Sequence, residues 1–310
     1  MARVAVVLGS GGARGYAHLG AVQELRSRGH EIVALSGTSM GALVGGLVAA
    51  GRDEDFADWV LSLTQSRVIR LLDPSRAGGG AISLNRLIRT LEGMVGDVAI
   101  EDLPVPYTAV ATDLVARREV WFQQGPLVPA IRASFAIPGL FTPAIIAGRV
   151  LVDGGLLNPL PLDPTASAVA DFTLAVSLQG PRGPHEPASP DRELSRKSPE
   201  WAMDLRRRFG RSASGGGDGP EAMSLQLPET QTGESPSAGL QSDLRALDIV
   251  SQSFDAMQSL ITRYRLAALP PDVLVTVPLS AARTLDFHRA AELIDLGRSL
   301  TSAALDEAGR

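Results

Sequence analysis

Four stretches of the chain, residues 4–8, 32–35, 172–178 and 273–277, are runs rich in Val, Ile and Leu with no regular polar alternation. A strand with one wet face alternates with a period of two, so these runs predict strands covered by helices on both faces. Between them the apolar spacing changes to three and four. Residues 16–28 and 42–50 read as helices that stop at Gly29 and Gly51, each placed for a left-handed C-cap. Ser83 precedes Leu84, Leu87, Ile88, Leu91, Met94 and Val95, an amphipathic helix for which Ser83 is the expected N-cap. Strands and helices in alternation predict an α/β fold with a mostly parallel central sheet flanked by helices.

Residues 107–152 read as strands and turns around one short helix, with Ala147, Gly148 and Arg149 as a hairpin tip. The pattern then fades. Residues 180–241 are rich in Pro, Ser, Gly and charge and hold too little apolar surface to order themselves, which predicts a disordered insertion between segments 1–179 and 242–310 of one domain. Periodicity returns with a helix over 244–266, the strand at 273–277, and a last helix through Ala290, Leu293, Ile294, Leu296 and Leu300, with Asp286 as its expected N-cap. Inside the insertion, Trp201, Leu205 and Phe209 recur at four-residue steps beside Arg206, Arg207 and Arg211. Aromatic anchors with local positive charge give residues 201–211 the pattern of a peripheral contact with an anionic membrane surface, and the alternatives are a solvated charged stretch in a disordered loop or a helix that docks on the domain itself.

Composition narrows the classes. A 310-residue chain with 45% hydrophobic and 20% charged residues is of the soluble globular type, and its net charge of -5 argues against nucleic acid as the main partner. With no cysteine there is no disulfide, thiol nucleophile or thiolate metal ligand, so a catalytic nucleophile must be a hydroxyl, an amine or a carboxylate. The apolar run at 2–9 is too short for a signal segment, and no window holds the roughly 18 consecutive apolar residues of a membrane span. The expected location is cytoplasmic, with peripheral membrane contact at most.

Gly37, Thr38, Ser39, Met40 and Gly41 form a G-x-S-x-G pentapeptide between a strand pattern and a helix of small residues, the context of a nucleophile elbow. Upstream, Gly9-Ser10-Gly11-Gly12-Ala13-Arg14-Gly15 joins the first strand to the first helix, where free amides favour an anion. A dinucleotide-binding loop fails on register, since counting from Gly9 puts Arg14 at the last glycine position. An oxyanion hole is the better reading, with Gly11 and Gly12 as donors in the loop that includes Ala13 and Arg14. A loop that is glycine-rich only for packing is the structural alternative.

A serine nucleophile needs a base. Of the four histidines, His185 lies in the insertion, His30 at a helix-to-strand turn, and His18 on the first helix in a packed or surface role. Only His288 follows Ser39 and an acid in the Ser, Asp, His order of an α/β-hydrolase triad. The competing base is Asp153, delivered by an apolar strand to a turn with Gly154 and Gly155, where partial burial would raise its pKa toward a useful range.

Taken together, the Gly-Gly-Ala-Arg-Gly loop, Gly-Thr-Ser-Met-Gly and Asp-Gly-Gly resemble the three signature blocks of the patatin-like phospholipases, and residues 131–139 resemble the block before that family's aspartate. The wording of the loop and of Tyr16-Ala17-His18-Leu19-Gly20 is similar to the bacterial branch related to neuropathy target esterase. The resemblance implies a Ser39/Asp153 dyad without a catalytic histidine, metal or cofactor, oxyanion donors at Gly11 and Gly12, and a lipid ester substrate. Arg14 occupies the family's basic position, where it holds the loop or meets a phosphate head group. Ser10 stands where the family signature usually has glycine.

Overall fold

The computed structural model describes residues 1–71, 73–74, 80–181 and 246–310. The predicted insertion from residue 182 on, the 201–211 segment within it and His185 lie outside the described residues, whereas Gly180, its expected first residue, is the last residue of a strand.

From the N-terminus the elements are β1 (Arg3–Leu8), a 3-10 turn (Gly12–Tyr16), α1 (Ala17–Ser27), β2 (Glu31–Thr38), α2 (Met40–Ala49), α3 (Asp53–Leu61) and α4 (Gln65–Leu71). Then follow β3 (Asp73–Pro74), β4 (Gly80–Ser83), α5 (Asn85–Val95), β5 (Tyr107–Asp113), β6 (Arg118–Phe122), α6 (Leu127–Ser134), β7 (Gly139–Phe141), β8 (Ala144–Ile146) and β9 (Arg149–Asp153). The remainder is β10 (Phe172–Gly180), α7 (Ala246–Ala268), β11 (Val273–Pro278) and α8 (Ala290–Glu307). The main sheet runs in the order β11-β10-β1-β2-β5-β9-β8, with β6 also paired to β5. Strands β11, β10, β1, β2 and β5 run parallel to one another, whereas β6 and β9 pair antiparallel with β5, and β8 antiparallel with β9. Pairing of β10 with β11 places the described residues on either side of the 182–245 stretch in one sheet.

The unbroken apolar runs are explained by what covers them. In β1, Val4, Val6 and Leu8 join the large core shared with α1, α2 and α8, while Val7 points to the other face with Ala175, Leu160, Leu162 and Leu266 of α7. Both faces of the strand are therefore dry, which removes any requirement for polar alternation. Helices on both faces make the mostly parallel sheet the middle of three layers, as the pattern predicts.

The turn chemistry follows the sequence in most places. Gly29 and Gly51 have positive φ of 75° and 65° just past α1 and α2. Ala147 and Gly148, with φ of 49° and 73°, join β8 to β9 as a two-residue hairpin loop of the primed type. Two caps differ from expectation. Ser83 ends β4, where its backbone pairs with Asp73, so the ladder takes the residue and α5 starts after Leu84 without a side-chain cap. Asp286 turns its carboxylate back to accept from the Arg283 N–H at 3.0 Å, and α8 begins only at Ala290, with Arg289 at the cap position. The expected helix from Tyr16 also starts differently, as a 3-10 turn that becomes α-helical at Ala17.

Candidate active site

Strand β2 ends at Thr38 and α2 starts at Met40, so Ser39 alone makes the turn, with φ 58° and ψ -122°. Such a backbone is strained for a residue with a Cβ and persists only where its surroundings fix it. Two neighbours do so. The Ser39 N–H donates to Ser134 Oγ at 2.8 Å, and Ser134 in turn donates to the Val110 carbonyl at 2.6 Å, which ties the turn to the end of α6 and to β5. Two residues on, α2 lies so close to β1 that a Cβ at Gly41 would sit 2.0 Å from the Leu8 carbonyl oxygen.

The register of β5 brings the second residue in. Val110 pairs with Thr38 on one edge and Trp121 on the other, and the next residue, Ala111, pairs with Asp153 and with Val120. Strand β6 thus fills one edge of β5, while β2 and β9 meet end to end along the other. Where β2 leaves for the Ser39 turn, antiparallel β9 arrives with Asp153 as its last residue. Ser39 Oγ donates to Asp153 Oδ2 at 2.5 Å, and the Gly155 N–H donates to Asp153 Oδ1 at 2.7 Å. Both side chains are buried, Asp153 completely. Burial lifts the Asp153 pKa to about 7, against the opposing pull of the bonds from Ser39 and Gly155. The result is a carboxyl in direct contact with a hydroxyl, its proton affinity raised well above the ordinary carboxylate range.

The glycine loop lies beside this pair. Gly9 and Ser10 spend their amides on Val176 and Pro159 carbonyls at 3.0 and 2.8 Å, and Ala13 spends its own on the Thr284 carbonyl at 2.9 Å. Ala13, part of the expected loop but not one of its two donors, thus has its N–H occupied. The N–H groups of Gly11 and Gly12 have no hydrogen-bond partner among the described residues. Arg14 is nearly fully buried and holds the loop, donating from Nε to the Gly11 carbonyl at 3.1 Å, from Nη1 to the Leu279 carbonyl at 3.3 Å and from Nη2 to Asp255 at 3.4 Å. Of the two roles open to Arg14 in the sequence, the structure supplies the loop-holding one.

None of the described histidines reaches the pair. His288 is exposed in the turn before α8 and bonds to neither Ser39 nor Asp153, whose two oxygens are taken by Ser39 and Gly155. His18 is buried in α1, its Nε2 2.8 Å from the Gly9 carbonyl, and burial pushes its pKa down to about 4, so it is a neutral donor that anchors the start of the loop. His30 packs edge-on to Phe172. Sequence reasoning missed Ser134, although it lies inside the 131–139 block; a buried serine has no pattern of its own.

The patatin-like phospholipase family model matches residues 6–166. An NTE family protein of Mycobacterium tuberculosis is 44% identical over 98% of this chain and 91% of its own length. Neuropathy target esterase sws of Drosophila melanogaster is 31% identical over 56% of this chain, which spans 13% of that protein. The crystal structure of VipD from Legionella pneumophila aligns with a TM-score of 0.47 and 14% identity, covering 99% of this chain and 67% of that one. The match over more than half the sequence and the near full-length relative show that this chain belongs to the patatin-like phospholipase family.

Proposed function

We propose that the protein is a serine hydrolase of lipid carboxylic esters in which Ser39 is the nucleophile and Asp153 its base. The observation that carries this reading is the direct Ser39 Oγ to Asp153 Oδ2 hydrogen bond in a buried site, with no imidazole between them. Family membership supports the ester-hydrolase class and a lipid substrate.

In the reaction Asp153 takes the Ser39 proton as Oγ attacks the acyl carbonyl carbon. The carbonyl oxygen becomes an oxyanion facing the N–H groups of Gly11 and Gly12, whose dipoles act in a buried site. Collapse expels the alcohol, which leaves with the proton from Asp153, and the acyl group stays on Ser39. Water then enters, loses a proton to Asp153, attacks the acyl-serine and releases the fatty acid as the proton returns to Ser39 Oγ. One group serves as base and acid in turn because its pKa lies near the working pH.

The test is hydrolysis of a short p-nitrophenyl ester together with labelling by a fluorophosphonate probe. Ser39→Ala removes both, Asp153→Asn lowers turnover at least about 1,000-fold, and His288→Ala stays within about tenfold of the parent, or roughly 1.4 kcal/mol of barrier. A folded His288→Ala protein as inactive as Ser39→Ala would replace the dyad with a triad. Absence of labelling in the parent protein would make this a lipid-binding module that keeps the fold.

A further inference from the structure

The two peptide units that carry the free Gly11 and Gly12 amides are each held by their carbonyl end. In a trans peptide the C=O and N–H point in opposite directions, so fixing one aims the other. Arg14 Nε fixes the Gly11 carbonyl and thereby the Gly12 N–H. The Ser10 carbonyl, which sets the direction of the Gly11 N–H, accepts from Gln179 Nε2 at 3.3 Å.

Gln179, near the end of β10, is itself held. Its Nε2 donates to Gln258 Oε1 at 2.7 Å, and Ser259 Oγ donates to its Oε1 at 3.1 Å. Gln258, from α7, closes the ring by donating from Nε2 to Ser10 Oγ at 3.2 Å. Gln258 is 2% exposed and Ser10 is 3% exposed. A glutamine amide in such a place costs free energy that a leucine would not, unless every polar atom is paired, and here both are. The ring also borders Gly155, in the turn that follows Asp153. The point where a Cβ on Gly155 would sit is 2.3 Å from Gln258 Nε2, 2.6 Å from Ser10 Oγ and 3.0 Å from Asp153 Oδ1. The loop, the turn after Asp153 and α7 therefore converge on the bare face of Gly155.

We propose that Ser10, Gln179 and Gln258 form a lock that aims the Gly11 N–H at the oxyanion, with Gln258 as a positioning residue that couples α7 to catalysis. Ser10 is the anchor of this lock: its hydroxyl accepts from Gln258, which a glycine there could not offer. This inference rests on Ser39 as nucleophile and on the loop as oxyanion hole. It adds residues from β10 and α7 that do not touch the reacting atoms.

The experiment measures kcat and KM for p-nitrophenyl butyrate at the alkaline plateau, where Asp153 is ionised and a drift in its pKa has no effect. The proteins are the parent, Ser10→Ala, Gln258→Leu and the double variant, each checked for fold by circular dichroism and melting. Gln258→Leu lowers kcat about tenfold or more with KM within about twofold, and slows fluorophosphonate labelling in proportion. The double variant is no slower than the worse single one, because the two side chains act as one unit. Unchanged kcat in folded Gln258→Leu, losses that add, or a loss confined to KM would each overturn the lock. If Gln258→Leu does not fold, Ser10→Ala, which removes one oxygen atom, is read by the same kcat criterion. Loss of activity in Ser39→Ala with normal turnover in Gln258→Leu would sink the lock alone, whereas an active Ser39→Ala protein would sink the dyad beneath it.

Discussion

At the scale of single residues, the site depends on the charge of one carboxyl. In the proposed mechanism Asp153 must be ionised to accept the Ser39 proton, and burial raises its pKa to about 7, so on that reading a modest fall in pH disarms the base. The predicted kcat/KM for a neutral water-soluble ester falls about tenfold per pH unit below 7 and levels off above it. His18 does not produce that profile, since its pKa is pushed down to about 4 and it stays neutral across the range. A stopped-assay series from pH 5 to 9 on the parent and on His288→Gln checks this: both share one midpoint near 7, and a midpoint that shifts with His288→Gln would assign the titration to the imidazole. Ser39 and Asp153 were legible in the sequence because each sits among glycines in a pattern that ordinary turns rarely combine. Ser134, Gln179 and Gln258 were not, because a buried serine or glutamine has a role only through partners far away in the chain, and no local spacing records them.

At the scale of elements, the strands buried on both faces were readable from their unbroken apolar runs, and the helices from their spacing and terminal glycines. The arrangement that makes the site was harder to read. That β9 runs antiparallel and meets β2 end to end along β5 follows from the β8 to β9 hairpin and from α6, not from any property of residues 149–153 alone. The glycine loop shows the same limit in smaller form, since its composition suggests free amides but not which ones remain free. Gly12 has φ 58°, and a Cβ there would lie 2.6 Å from the Thr284 carbonyl oxygen, the group that also accepts from Ala13. A β-branched side chain at that position is strained by the backbone and pushes against the segment before α8. Gly12→Val is therefore predicted to reduce kcat by about 100-fold or more, the effect of losing one oxyanion donor, while leaving the Ser39 to Asp153 contact in place. Steady-state kinetics on the folded variant decide the matter, and normal turnover would show that the loop serves packing instead.

At the scale of the whole molecule, the carboxyl proposed as the base works against the fold. Asp153 has its folded-state pKa raised from 3.8 to about 7, so the native protein holds this proton more tightly than the unfolded chain does. Below about pH 4 both states are protonated and burial of the neutral acid carries no charge penalty. As pH rises from there, the unfolded chain ionises first, and stability is lost progressively until the folded carboxyl also ionises near 7. The loss reaches on the order of 4 kcal/mol at alkaline pH, a sizeable fraction of the 5–15 kcal/mol typical of a folded domain. An asparagine at this position is uncharged at every pH and keeps hydrogen-bonding groups toward Ser39 and Gly155. Asp153→Asn is thus predicted to be inactive yet more stable than the parent at pH 8 to 9, with a higher urea midpoint, and the advantage shrinks steadily toward pH 4. Urea unfolding of both proteins at pH 4, 6 and 8.5 measures the trend. A variant no more stable than the parent at pH 8.5, or an advantage that grows as the pH falls, would show that Asp153 is not a buried acid with a raised pKa, and the pH dependence of catalysis would then need another source.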